Sequence, residues 1–264
     1  MATVTDTVLN NNLTTAIGGA VPGAGDTLII QQSYAAWQYT AGCNLGANSV
    51  ALVDIKPSFA GSIGTENLII LATTGVLRNK FSGTTMRIAS TASASVIQTL
   101  IHQTTGGGVT LYQTATFTTA NCNGGAAVFA SDTTITTGNF SAGVVELREG
   151  GGASTTINVR GTAEVMLDRD VTTLNVYGGS VTINSTTCSP GTTAIQSGSI
   201  TYKAVGSSGG TLNGSGGVCD FRLCGDVTFS GGTLMPGFRI LKRPNQTIDV
   251  SACTDNGCEI ITAA

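Results

Sequence analysis

Few residues in this chain are equipped for chemistry, and their spacing limits what that chemistry could be. His102, in Ile101-His102-Gln103, is the single imidazole among 264 residues, so any Ser-His-Asp or Cys-His arrangement must be built around it. It lies inside a stretch from Ile88 to Ser131 that contains no Lys, Arg, Asp or Glu. That setting suits a hydrogen-bonded core or interface histidine better than a general base. The best carboxylate set is Glu164, Asp168 and Asp170, in Glu164-Val165-Met166-Leu167-Asp168-Arg169-Asp170. Paired carboxylates are what glycoside hydrolysis requires. Here Asp168 and Asp170 flank Arg169, the pattern of a solvated corner or a surface ion pair of little energetic value.

Other signatures of catalysis are missing from the sequence. No Gly-His-Gly element accompanies the acids, and aromatic residues, at 5%, offer few platforms for sugars. No P-loop, dinucleotide fingerprint or calcium loop occurs, and Thr105-Gly106-Gly107-Gly108 has no helix pattern after it, so it reads as a turn. The chain is expected not to be an enzyme, with no catalytic or cofactor-binding residue. Seven cysteines (Cys43, Cys122, Cys188, Cys219, Cys224, Cys253 and Cys258) are an odd number, which rules out a complete internal disulfide framework. Cys219/Cys224 and Cys253/Cys258 share a C-x4-C spacing at the upper limit for zinc ligands. With no C-x2-C knuckle and the histidine far away in sequence, no metal site or cofactor is expected, and most of the cysteines read as small buried hydrophobes.

The elements that must position these residues are strands. Charged residues make up only 10% of the chain while 36 residues are Gly, and the remaining polar positions are dominated by Thr, Ser and Asn. Such residues favour strands and turns over helices. Apolar residues alternate with polar ones in Thr156-Ile157-Asn158-Val159 and Val181-Thr182-Ile183, a period of two. Gly closes several of these runs, at Gly138, Gly161, Gly178, Gly198 and Gly231, with spacings of 23, 17, 20 and 33, the last read as two turns with a degenerate mark near Gly214 or Gly216. Repeats of this length fit one coil of a β-solenoid, each coil closing its core by stacking on the next, with Gly at a tight corner. A β-sandwich or jelly roll with evenly spaced turns is the alternative.

The expected organisation is an N-terminal β region (1–75), a β-helix or β-solenoid of Gly-punctuated coils (76–241) and a C-terminal cap or tail (242–264). The first region holds the apolar strands Asp26-Thr27-Leu28-Ile29-Ile30 and Asn67-Leu68-Ile69-Ile70-Leu71, a strand over 49–55, and Trp37. The charge-free stretch Ile88–Ser131 reads either as a protein–protein interface or as a buried core segment. Arg239, Lys242 and Arg243 form the one basic cluster, read as a solvated turn or a docking contact. A formal charge of −3 and the lack of a long basic run argue against nucleic acid. No segment has signal-peptide character or the apolar length to span a bilayer, so no membrane partner is expected.

Taken together, the low charge, the Thr/Gly-rich β repeat and the odd cysteine count resemble the virion proteins of tailed bacteriophages, above all head decoration (cement) proteins with tailspike-like β-helices. The resemblance covers roughly residues 75–240 and is one of style, so no family residue is carried over. It implies a homotrimer on the outer surface of the capsid, made in the host cytoplasm, whose N-terminal region grips the major capsid protein and clamps neighbouring capsomers. A tail fibre or receptor-binding spike, or a glycan-binding solenoid, is the alternative that the same resemblance allows.

Overall fold

The computed structural model describes residues 2–6, 18–19, 22–31, 38–39, 49–59, 62–63, 73–83, 85–88, 95–105, 108–150, 152, 154–185, 188, 190–203 and 209–263. Trp37, Cys43 and the expected strand over 67–71 lie outside the described residues. Every described element is a strand, and every pairing between strands is parallel, stacked coil on coil as a β-solenoid. The solenoid reading therefore holds, and the sandwich alternative does not. The chain divides into two compact units, Met1–Thr136 and Thr137–Ala264.

In the first unit one sheet stacks Thr3–Thr5, Thr27–Ile30, Ser49–Ile55, Thr73–Asn79, Ser95–His102 and Ala115–Phe129. The register Leu28↔Val53↔Leu77↔Leu100↔Ala120 gives coils of 25, 24, 23 and 20 residues. Alternation sends this file inward, where all five side chains are at most 2% exposed. Each aliphatic member contributes about 1.5–3 kcal/mol by burial. A second file, Ile30↔Ile55↔Asn79↔His102↔Cys122, runs beside it. Facing them are Thr85–Ile88, Val109–Tyr112 and the end of Ala115–Phe129, which bring Met86, Thr110 and Ala127 into one buried file and Ile88, Tyr112 and Phe129 into another. Tyr112, Phe117 and Phe129 close this core, with ring centroids 5.1–5.5 Å apart.

The second unit is more regular. Its two sheets are formed by successive halves of each coil, for example Ser154–Val159 then Glu164–Leu167, and Val171–Ile183 and Thr192–Tyr202, each of which runs through both sheets. The register Ile157↔Leu174↔Thr193↔Leu212↔Gly232↔Cys253 gives coils of 17, 19, 19, 20 and 21 residues. Between the sheets the chain turns through a glycine with positive φ: Gly143, Gly161, Gly179, Gly198, Gly217, Gly237 and Gly257. Two constraints select glycine there. The left-handed backbone is costly for any residue with a Cβ, and corners stack so closely that a Cβ on Gly179 or Gly198 would lie 2.3–2.4 Å from the carbonyl oxygen of the coil below.

This file of seven corrects the sequence-based marks. Gly161 and Gly198 are corners, and Gly178 immediately precedes one. Gly138 instead points inward beside Phe140 and Ile157, and Gly231 lies within the strand Val227–Leu234. The expected boundaries at 75/76 and 241/242 are not marked by any change in strand pairing. Thr73–Asn79 pairs with Ser49–Ile55, and at the other end Cys253–Asp255 and Glu259–Thr262 continue the parallel ladders of Val227–Leu234 and Arg239–Lys242. In the last coil Ile260, which continues the interior file of Ile200, Cys219 and Ile240, is 43% exposed.

Candidate functional site

The solenoid register brings His102 beside Cys122 and opposite a facing sheet that supplies Thr110 and Tyr112. Asn79 is the hub. Its Nδ2 donates to Thr110 Oγ1 at 3.0 Å and Tyr112 Oη at 3.1 Å, and its Oδ1 accepts from Phe81 N at 3.1 Å. Tyr112 Oη lies 2.9 Å from His102 Nδ1, and Thr104 Oγ1 lies 3.4 Å from Nε2. Because Tyr112 already accepts from Asn79, its own hydroxyl donates to Nδ1, which leaves the ring proton on Nε2 facing Thr104. His102, Asn79, Thr110 and Tyr112 are all fully buried.

Burial holds the His102 imidazole neutral, lowering its pKa to about 4. The same desolvation raises the Cys122 thiol well above its ordinary range. A Cys–His neighbour pair is a nucleophile only as thiolate and imidazolium in reach of a substrate. Here both groups are held uncharged inside the core. The cluster is a cross-sheet brace, and His102 belongs to the core rather than to an exposed surface.

Of the carboxylate candidates, Asp168 and Asp170 lie two residues apart and both add to the burial that raises the pKa of the Cys188 thiol, whereas Glu164 is set away from them. Glu164 is exposed at the start of the strand Glu164–Leu167, and Asp168 follows its end. Four residues of extended chain separate them by roughly 13 Å, beyond the spacing of glycosidase carboxylates. Arg169 departs from the sequence reading altogether. Far from occupying a solvated corner, it is 2% exposed, with Nε donating to Arg148 O at 2.9 Å and Nη1 donating to Gly152 O at 3.3 Å. Cys188 Sγ in turn donates to the Arg169 carbonyl at 2.9 Å. These contacts tie successive coil ends together.

The cysteines and the basic cluster are structural as well. All six described cysteines are free. Cys122, Cys188, Cys219 and Cys224 are buried, and burial pushes the Cys188 thiol up to about 12. Cys253 and Cys258 are half-buried. Among the described residues no three His, Cys, Asp or Glu side chains are gathered as metal ligands. Lys242 Nζ donates to Gln246 O at 2.9 Å, and Arg243 Nη2 donates to Cys224 O at 2.7 Å. Gln246, 5% exposed, donates to the carbonyls of Phe221 and Gly225, both at 2.8 Å. Of the three clustered cations, Arg243 therefore staples one turn to the next, Lys242 closes its own turn, and Arg239 is exposed.

The feature that sequence reasoning missed is an outer face. On the first sheet of the second unit, outward positions form two files: Thr156↔Thr173↔Thr192↔Thr211↔Gly231 and Asn158↔Asn175↔Ala194↔Asn213↔Thr233. No member is charged. Asn158 Nδ2 donates to Asn139 Oδ1, and Asn175 Nδ2 donates to Asn158 Oδ1, each at 2.9 Å, so the amides bond up the stack. Asn213 Oδ1 accepts from Thr233 N at 3.1 Å. The second sheet differs, because Glu146, Glu164, Asp220 and Arg239 fall on its outer positions. The signal was present in the recurring Thr-x-Asn of Thr156-Ile157-Asn158, Thr173-Leu174-Asn175 and Thr211-Leu212-Asn213.

The second unit thus presents an uncharged hydroxyl and amide surface, and Arg169 and Arg243 hold its successive coils together. No protein-family model matches the chain, and no curated protein and no solved structure matches it either.

Proposed function

We propose that this chain is a structural protein of a tailed-bacteriophage particle, a decoration protein that trimerises and stabilises the capsid without catalysing a reaction. The observation that carries the reading is the charge-free Thr/Asn face of the second unit. Its amides are already hydrogen-bonded to one another, so packing a copy against it removes no charge from water and leaves few polar groups unpaired. Its coil-to-coil repeat suits a long contact between parallel solenoids around a symmetry axis. Residues 1–75 are assigned to docking on the major capsid protein, which places the protein on the outer surface of the virion. The uncharged stretch Ile88–Ser131 fits this role in part. Residues such as Ile97, Leu100, Phe117 and Phe129 are core, while Gln98, Thr118 and Asn123 are exposed without charge.

A decoration protein binds the assembled lattice and not its dissociated parts, so it stabilises by mass action. Particles lacking the protein should assemble but rupture at a lower temperature, and adding back the full chain should restore heat resistance. Thr173→Lys with Asn175→Lys, which puts two charges into the face, should abolish that restoration. Particles equally heat-resistant with and without the protein would overturn the reading.

A further inference from the structure

The first unit carries a second surface that the proposed structural role does not use. Directly after the interior file Ile55, Asn79, His102 and Cys122, the ladder continues with Lys56, Lys80, Gln103 and Asn123, carried by Lys56 N→Ile30 O at 2.8 Å, Lys80 N→Ile55 O at 3.0 Å and Gln103 N→Asn79 O at 2.8 Å. These side chains leave the core where the coils turn. A groove of about 340 Å³ lies across the last three, lined by Pro57, Lys80, Gln103, Thr104, Thr105 and Asn123. That volume is within the range of small-molecule sites.

The charges around the groove are unequal. The carboxylate of Asp54, itself 4% exposed, takes both Lys56 and Arg78 as ion-pair partners. Lys80 has no acidic partner among the described residues. One uncompensated ammonium is therefore set among two carboxamides and two hydroxyls, over a floor fixed from behind. Thr104 is 4% exposed and is held by His102, and a Cβ on Gly125 would come within 1.6 Å of its hydroxyl oxygen.

We infer that this groove binds an acidic saccharide, with Lys80 on the carboxylate and Gln103, Asn123 and the threonines on ring hydroxyls. A lone lysine is a point charge suited to a carboxylate, whereas phosphate sites favour an arginine fork or a cradle of backbone N–H groups. The chain's net charge of −3 supplies no general attraction for polyanions, so recognition of one must be local. The inference rests on the first unit alone and goes beyond the proposed decoration role.

Isothermal titration of the full chain with trigalacturonate tests it. Saturable binding is expected, weakened about tenfold by Lys80→Met, the loss of one charge-assisted hydrogen bond, and weakened less by Gln103→Ala. Lys203→Met, which removes the same charge from an exposed position in the second unit, should leave affinity unchanged. Neutral maltotriose should bind at least tenfold more weakly than trigalacturonate. Absence of binding at millimolar ligand, equal binding of maltotriose, or equal weakening by Lys80→Met and Lys203→Met would overturn the inference.

Discussion

The two units solve the same stacking problem with different interiors. In the second, the file Val145, Val165, Val181, Ile200 is wholly aliphatic, and the coils turn at left-handed glycines, of which Gly161, Gly179, Gly198 and Gly217 pack on the backbone below. In the first, coils are longer, and Asn79 and His102 interrupt a file that begins with Ile30 and Ile55. A parallel stack thus tolerates polar residues inside when the facing sheet supplies partners, as Thr110 and Tyr112 do. The first unit's precision comes from hydrogen bonds across its core, the second's from the geometry of its corners.

The sharpest way to break this contrast is to add a side chain at a corner. Gly198→Val combines φ +85° with an approach of 2.4 Å to Gly179 O, and should destabilise the second unit by about 4 kcal/mol or more. Gly25→Val in the first unit has a similar φ of +81° but open space around it, and should cost only about 1–2 kcal/mol. Urea unfolding of both variants checks the difference, and equal losses would remove the special status of the corners.

Next in size is the brace. Asn79→Ala leaves Thr110, Tyr112 and the Phe81 amide without their shared partner, an expected loss of about 3 kcal/mol. Acid should act on the same place. His102 titrates at about 4 in the fold against 6.5 normally, so the unfolded chain takes up a proton first. The contribution is complete above pH 6.5 and is lost as pH falls toward 4, by up to about 3 kcal/mol. Amide exchange in the strand Ser95–His102 should quicken between pH 6.5 and 5 relative to Val171–Ile183, after correction for intrinsic rates. His102→Gln should flatten that dependence. A unit without histidine has no such window.

Smaller effects belong to the surface. Asn175→Ala removes one rung of the amide ladder and should cost about 1 kcal/mol by thermal unfolding. Glu164→Gln, an exposed change, should stay within about 0.5 kcal/mol.

Sequence reading located the strands and the solenoid principle because period-two alternation and glycine punctuation are local signals. It misassigned coil phase because glycine recurs for three separate reasons: left-handed corners (Gly217), space for a neighbouring ring (Gly138 beside Phe140) and close strand approach (Gly210 on Gly191). The final coil reads in the sequence as a cap or tail because its corner, Gly257, sits in the polar run Asp255-Asn256-Gly257, although its spacing of 20 from Gly237 continues the repeat. His102 was legible as a core residue from its uncharged surroundings. Its partners were not, since Asn79 and Tyr112 meet it only through stacking and across the core. Arg169 looked solvated because a buried guanidinium satisfied by backbone carbonyls has no sequence signature.

The central claim, that the uncharged Thr/Asn face joins copies of this chain, is tested most directly by light scattering of the purified full-length protein at micromolar concentration. The account predicts the mass of three chains, falling to one when Thr173→Lys and Asn175→Lys are combined and unchanged by Glu164→Lys on the other sheet. A wild-type monomer, or a trimer that survives both lysines, would contradict it.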